Sequence, residues 1–224
     1  MFGDMQMKYN IINSSSDGNA IIVNKILMLD CGVPYTKIKP YLKDIKLIFI
    51  SHVHKDHLLP STISKIAYNN PSIKFVVGSK DIVKRLVECG IRTNKIILLP
   101  ENKWFDMGLI KVRLEPTTHD VPNHCLKFEI NKKKGIYIVD TANVDNIEAN
   151  GYDLYLIENN YREDILKKHL EECEDENKLY YLNRVSRTHL ADEQCNSFLI
   201  ENMKDNGVYE YIHQSKYNFE NREE

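Results

Sequence analysis

Ser51-His52-Val53-His54-Lys55-Asp56-His57-Leu58 follows directly on the apolar run Leu47-Ile48-Phe49-Ile50. Four apolar residues in a row read as a short buried strand, so the histidines sit just past its C-terminal end. There a chain leaving a sheet can aim several side chains at one point. In an extended segment His52 and His54 project from the same face and can hold one ion, while Asp56 and His57, beyond a turn, can hold a second. Pro60 then opens a helical pattern. A histidine-rich solvated loop would account for one or two of these residues, but His-x-His-x-Asp-His behind an apolar strand reads as a metal site.

Working outward, Tyr9–Ile12 reads as an opening strand that gives way to a polar turn over Asn13–Asn19. Ala20–Val23 and Ile26–Asp30 form a hairpin about Asn24-Lys25, and Tyr35–Leu42 a helix entered through Pro34. Beyond the histidine cluster come a helix over Ser61–Tyr68, a strand at Phe75–Val77, a helix capped by Ser79 and closed at Gly90, and a strand at Ile96–Leu99. The middle then alternates in the manner of a half-exposed antiparallel sheet, over Ile110–Pro116, Cys125–Ile130 and Gly135–Asp140, with Asn131–Lys134 as a basic hairpin turn. Tyr152–Ile157 is a further strand ending at Glu158; Asp164–Cys173 and Leu190–Met203 are helices, and Tyr209–Ile212 is a closing strand. Each half supplies a sheet with helices outside it, which predicts two sheets packed face to face between helices.

Composition limits what such a chain can be. At 224 residues one substantial layered domain over 1–224 is expected. A net charge of −2, with 28% charged and 42% hydrophobic residues, excludes a polycation built to coat nucleic acid and a disordered acidic tail. Five scattered cysteines with no Cys-x-x-Cys pair argue against both a disulfide framework and a zinc ribbon, and fit reduced thiols in a cytoplasmic protein. No apolar run approaches the length of a membrane span, and Met1–Met5 shows no leader pattern, so no membrane partner is expected.

A pair of ions sharing a water needs more ligands than the first cluster offers. His119 lies in Thr117-Thr118-His119-Asp120 just past the strand ending at Pro116; Asp140 ends the strand Ile136–Val139; His189 sits in Ser186-Arg187-Thr188-His189-Leu190 directly before a helix. Each is weak alone. Their repeated position at the ends of elements makes them one set with the first cluster. Asp30, Asp120 and Thr118 are candidates to hold the outer ring nitrogens of liganding histidines, and Glu158 to orient a ligand or donor.

With these residues in view the chain resembles the metallo-β-lactamase superfamily over nearly its whole length. His52-x-His54-x-Asp56-His57, His119, Asp140 and His189 occur in the family's order, and Asp30 falls where the family places an earlier structural aspartate. Ser14–Ala20, Leu29-Asp30-Cys31-Gly32, Ile157–Tyr161 and Thr188-His189-Leu190 are similar to segments of its exonuclease-like phosphodiesterase branch, which includes the ribonuclease Z type. The resemblance implies a four-layer αββα sandwich of α/β class, with two divalent ions, zinc first and manganese second. It assigns His52, His54 and His119 to one ion, Asp56, His57 and His189 to the other, and Asp140 to both. Asp56, His189 and Glu158 are then the catalytic candidates, around a hydroxide shared by the metals.

The implied activity is hydrolysis of a phosphodiester, in nucleic acid or in a cyclic nucleotide. Cleavage of a carbon ester, thioester or lactam by the same fold is the alternative, and a metal-stabilised, non-catalytic binding protein a third. The inserted domain of larger nuclease branches and the long arm of ribonuclease Z have no counterpart here, which counts against structured tRNA as substrate. Arg184, Arg187 and Lys132–Lys134 would have to converge to bind a polymer, and Tyr35, Tyr161 or Tyr181 to stack a base. His124 matches no ligand position and is expected to line the pocket or lie on the surface. Completion of the pocket by a second subunit, as a homodimer, stays open.

Overall fold

The structure, a computed structural model, describes residues 6–215; Met1–Met5, read above for a leader pattern, lies outside the described residues. The first half of the chain forms β1 (Tyr9–Ser15), β2 (Gly18–Val23), β3 (Leu27–Leu29), α1 (Tyr35–Ile38), β4 (Leu47–Ile50), α2 (Pro60–Asn69), β5 (Lys74–Val77), α3 (Lys80–Glu88) and β6 (Ile96–Leu98). Its six strands lie in sequence order, antiparallel from β1 to β3 and parallel from β3 to β6. The second half forms β7 (Phe105–Asp106), β8 (Lys111–Thr117), β9 (Asn123–Ile130), β10 (Lys133–Ile138), β11 (Leu154–Glu158), α4 (Glu163–Glu172), α5 (Glu176–Thr188), α6 (Asp192–Asn202) and β12 (Val208–Ile212). Here the sheet order is β12-β11-β10-β9-β8-β7, antiparallel from β7 to β10 and parallel from β10 to β12.

Residue alternation explains how the sheets stack. Leu47 and Phe49 of β4 join Leu154 and Leu156 of β11 in the apolar layer between the sheets. Their neighbours Ile48 and Ile50 face outward onto Ile38, Ile63, Ile66, Ile82 and Leu86 of α1–α3. On the far side Tyr155 and Ile157 pack against Phe198 and Leu199 of α6. A strand covered on both faces has no solvent side to mark with polar residues, hence the unbroken apolar runs in the sequence. The result is the expected four-layer αββα sandwich.

Several elements differ from the sequence reading. The polar stretch Asn13–Asn19 contributes only a two-residue turn, because β1 continues through Ser15. The Asn13 and Asn19 amides bond to the Gly18 and Ser15 carbonyls and hold the hairpin end closed. The first helix stops at Ile38. The last starts at Asp192, since Ala191 is taken up in a bridge to Tyr161. Most consequential is α5, which the sequence reading left unassigned. Asp175 caps it by accepting from the Lys178 amide, and only Leu182, Val185 and Thr188 are buried, so its apolar stripe is narrow. Among the described residues no helix is long and apolar enough to cross a membrane.

Parallel strands share a direction, and so their C-terminal ends open on one edge of the sandwich. Asp30 follows β3, Ser51–His57 follow β4, Asp140 follows β10 and His213 follows β12, while Glu158 closes β11.

Candidate metal centre

Asp30, Asp140 and His213 each leave their strand with positive φ, at 57°, 49° and 51°. Asp and His tolerate this left-handed conformation better than most residues. Strained backbone of this kind tends to persist where function requires it. The loop carrying His52–His57 is held from below: the Asn19 and Cys31 amides donate to the Asp56 and His57 carbonyls at 2.7 and 2.8 Å. Gly32 lies so close under this loop that a Cβ there would stand 1.6 Å from the Asp56 carbonyl oxygen.

The side chains meet around Asp140, which is 2% exposed. Its Oδ2 lies 3.3 Å from His52 Nε2, 3.0 Å from His57 Nε2 and 4.0 Å from His119 Nε2. Its Oδ1 lies 3.1 Å from His213 Nδ1 and 3.5 Å from His189 Nδ1. Three groups result, each with ligand atoms mutually within 4.8 Å: His52, His54, His119 and Asp140; Asp56, His57, Asp140 and His213; and Asp140, Glu158, His189 and His213. Every residue singled out from the sequence as a ligand is therefore at one place. The arrangement departs from the expected division at one point. His213, which the sequence reading passed over, joins Asp56 and His57, whereas His189 stands with Glu158.

Outer partners fix the rings. His57 Nδ1 meets Asp30 Oδ2 at 2.6 Å, and Asp30 in turn accepts from the Ser51 amide, the Ser51 hydroxyl and the Tyr137 hydroxyl at 2.8–2.9 Å. His52 Nδ1 lies 3.0 Å from Ser51 Oγ, and His119 Nδ1 lies 3.0 Å from the Thr188 carbonyl. Such contacts leave Nε2 of each ring to the interior, the pattern that orients metal-binding imidazoles. Of the partners expected from the sequence, Asp30 fills this role. Asp120 instead approaches the Nε2 atoms of His119 and His54, at 3.1 and 3.4 Å.

Glu158 is fully buried, with Oε2 accepting from the Thr141 and Leu190 amides and Oε1 2.6 Å from His189 Nδ1. Burial alone would lower the His189 pKa, but the Glu158 charge and the bonds to Asp140 and Glu158 raise it to about 10. His213 behaves alike: burial opposes, Asp140, Asp56 and Glu158 prevail, and the pKa rises to about 9. For Asp56, burial would push the pKa up, yet bonds to His213 and His57 hold it far below the usual carboxylate range. His52 lies well below the ordinary histidine value, through burial and the neighbouring His57.

Buried polar atoms ordinarily find partners. Here the buried His52 Nε2 has no hydrogen bond. It points into the cluster, 3.3 Å from Asp140 Oδ2, as expected of a metal-binding donor. Imidazole and carboxylate together suit zinc or manganese, and the residues present fit such ions.

A cavity of about 200 Å³ opens above the cluster, lined by Ser16, His54, Asp56, His189, Tyr181 and Arg184 among others. Other residues weighed from sequence lie elsewhere. Tyr35 bonds to Asn70, and Tyr161 packs with Leu166 and Leu182 under the helical hairpin. Lys132–Lys134 turn at the opposite end of β10 from Asp140, so they do not converge with Arg184. His124 is neither pocket lining nor surface: it is 3% exposed, bonds to Glu101 at 3.0 Å and packs on Gly78.

No family model matches the chain. A 64-residue stretch is 36% identical to the cytidine monophosphate-N-acetylneuraminic acid hydroxylase of Asterias rubens, covering 28% of this chain and 10% of that protein. A 98-residue stretch is 32% identical to the inactive cytidine monophosphate-N-acetylneuraminic acid hydroxylase of Homo sapiens, covering 42% and 20%. The chain thus spans a fifth or less of the length of these relatives. Among solved structures, the metallo-beta-lactamase fold protein YhfI from Bacillus subtilis superposes with TM-score 0.71 at 15% identity, over 95% of this chain and 88% of that one. Human tRNase Z, short form, gives 0.67 at 17% identity, over 93% and 92%. A diphosphatase of the PhnP family gives 0.64 at 12%, over 94% and 87%.

Proposed function

We propose that this chain, which has the metallo-β-lactamase fold, is a metal-dependent phosphodiesterase that cleaves the end of a nucleic-acid strand or a cyclic nucleotide. The observation that carries it is the Asp140 carboxylate, which turns Oδ2 to His52 and His57 and Oδ1 to His213 and His189. In this reading His52, His54 and His119 would hold one divalent ion and Asp56, His57 and His213 a second, with the Asp140 carboxylate lying between the two groups. Zinc or manganese bound there would supply an activated water and offset the negative charge on a phosphoryl group.

The remaining chemistry falls to the chain's own side chains. The Asp56 carboxylate, 23% exposed and lining the cavity, accepts a hydrogen bond from the attacking water and orients it. The water gives up one proton to solvent by way of Asp56, its oxygen joins phosphorus as the ester P–O bond breaks, and the departing oxygen takes a proton in turn. His189 supplies it from Nε2: its Nδ1 is occupied by Glu158, and the buried carboxylate keeps the ring protonated until the moment of transfer. Glu158 is a positioning residue in this scheme, fixed by two backbone amides.

Two neighbours in fold, tRNase Z and a PhnP-family diphosphatase, carry names that describe phosphate chemistry, which supports a phosphorus ester over a carbon ester. The test is hydrolysis of bis(p-nitrophenyl) phosphate, a thioester and nitrocefin by protein of measured zinc and manganese content. Diester turnover abolished in Asp140→Asn supports the reading. Turnover of the thioester or nitrocefin alone overturns it.

A further inference from the structure

Resting on the phosphodiesterase reading and extending it to substrate choice, we propose that Arg184 and Tyr181 of α5 form a nucleotide subsite: Arg184 takes a non-bridging phosphoryl oxygen and Tyr181 stacks the attached base.

Charge at the cavity makes the case for Arg184. Among the described residues it is the one lysine or arginine lining the cavity, whose walls otherwise carry imidazoles, amides, hydroxyls and the carboxylates Asp56 and Asp140. A phosphodiester is an anion and needs a cation at the mouth that survives any working pH, which a guanidinium provides. Arg184 is already aimed there. Its Nε and Nη2 donate to Asp120 Oδ2 at 3.1 and 2.6 Å, while Asp120 Oδ1 lies 3.1 Å from His119 Nε2. The pair therefore spans from α5 to the first histidine group.

Only part of the guanidinium is engaged. Two of its N–H directions serve Asp120, and the others have no partner among the described residues. Both members are about a third exposed, at 38% and 34%, and exposed ion pairs hold weakly. An arriving phosphoryl oxygen can thus share Arg184 with Asp120 or displace it at little cost. Until then Asp120 keeps the long side chain extended toward the site rather than into solvent.

Tyr181 stands three residues earlier on the same face of the helix, 39% exposed and lining the same cavity. Leu182 and Val185, on the adjoining buried face, anchor α5 to Leu166 of α4 and to Ala191. The helix is thereby fixed at the rim with a cation and an aromatic ring set side by side, the combination that recognises a phosphate and its base. A cavity of about 200 Å³ suits one phosphoryl group and its immediate substituents, and excludes a duplex.

The test measures kcat and KM of the metal-loaded full chain on thymidine 5′-p-nitrophenyl phosphate and on methyl p-nitrophenyl phosphate, which lacks a base. Arg184→Gln is expected to raise KM about tenfold or more for both diesters with kcat little changed, and Arg184→Lys to fall between. Tyr181→Leu is expected to raise KM about tenfold for the thymidine diester alone, and Tyr181→Phe to leave it unchanged. Binding of thymidine 5′-phosphate by calorimetry should weaken in parallel, with metal content and melting temperature as wild type. An unchanged KM in Arg184→Gln, or an equal rise on both diesters in Tyr181→Leu, overturns the subsite while leaving the phosphodiesterase reading intact. Failure of the wild-type chain to hydrolyse either diester removes both.

Discussion

Asp140 and His213 leave the second sheet on either side of β11 in the same left-handed conformation, and their side chains meet with Oδ1 3.1 Å from Nδ1. His213 belongs both to the group of Asp56 and His57 and to that of Glu158 and His189, whereas His189 belongs to the second alone and bonds to Glu158. Two histidines that could each have been a ligand are thereby given different surroundings, and their substitutions should fail differently.

His213→Ala is expected to lose one of two bound ions, or to bind it at least about tenfold more weakly, because a ligand is gone. His189→Ala is expected to keep both ions and to lose activity by about 10²- to 10⁴-fold, the usual contribution of a positioned proton donor. Elemental analysis and kcat on the same preparations decide it. Equal metal loss in the two variants would show both histidines to be ligands.

The first cluster was legible because four metal-binding side chains crowd behind one apolar strand, and Asp140 because it ends another. His213 gave no such density: it is a lone histidine after a strand whose side chains are only partly buried. The usable signal was positional, since it follows β12 as Asp140 follows β10. α5 escaped for a related reason. With Leu182 and Val185 as its main buried apolar residues, its pattern is close to that of a solvated loop, and its place is set by packing against α4. β4 and β11, apolar on both faces, needed no such context.

The pH dependence of catalysis should report the Glu158–His189 pair. A general acid works while protonated, so activity fails as pH rises through the His189 pKa, which the neighbouring carboxylates raise. Glu158→Gln removes the principal raising charge, so the ring loses its proton at lower pH. The alkaline limb of the kcat profile should move toward neutrality in Glu158→Gln, with metal content retained. An unmoved limb would assign it to another group.

Stability of the metal-free protein should depend on pH in both directions. His213 and His189 have folded pKa values of about 9 and about 10, above the unfolded value of 6.5. Their contribution is complete below pH 6.5 and is lost as pH rises through 9 and 10. Asp56, Asp140 and Glu158 are depressed, so theirs is present above the unfolded values of 3.8 and 4.5 and lost as pH falls through the folded ones. His52 and His119, whose pKa values are lowered by burial, lose their contribution as pH falls below the unfolded 6.5, so denaturant midpoints of chelator-treated protein should peak near pH 6.5. Loading metal at pH 7 should also release protons, since His57 and His213 are held protonated and ligation requires neutral rings. Calorimetry in buffers of different ionisation enthalpy measures that release, and none would contradict the protonation states.

Asp30 ties four groups together, accepting from the Ser51 amide and hydroxyl and the Tyr137 hydroxyl while holding His57 Nδ1. All of these lie in the dry interior, where removing one partner leaves the others unsatisfied. Asp30→Ala is expected to cost about 3–5 kcal/mol of stability and to weaken metal binding about 10- to 100-fold. Tyr137→Phe, which removes one donor and leaves the Asp30–His57 contact, should cost only about 1 kcal/mol and spare the metals. Chemical denaturation of the two variants separates these outcomes, and equal losses would mean the network is not centred on Asp30.

Gly32 connects the first sheet to the histidine loop more directly than any ligand does. A Cβ at this position would lie 1.6 Å from the Asp56 carbonyl oxygen and 2.7 Å from the His57 amide nitrogen, both backbone atoms that no rotamer change can move aside. The close approach is also what lets the Cys31 amide donate to the His57 carbonyl at 2.8 Å. In Gly32→Ala the loop must lift, carrying Asp56 and His57 away from Asp140 while His52, which precedes the contact, stays. The expected result is selective loss of the ion assigned to Asp56, His57 and His213, together with a destabilisation of about 1–3 kcal/mol from overpacking. Gly90→Ala serves as the control. Its Cβ would meet only Ala67 at 3.8 Å, so its cost is the backbone strain of φ 92° alone, with metal content unchanged. Both ions retained in folded Gly32→Ala would show that the loop can be displaced without disturbing the site.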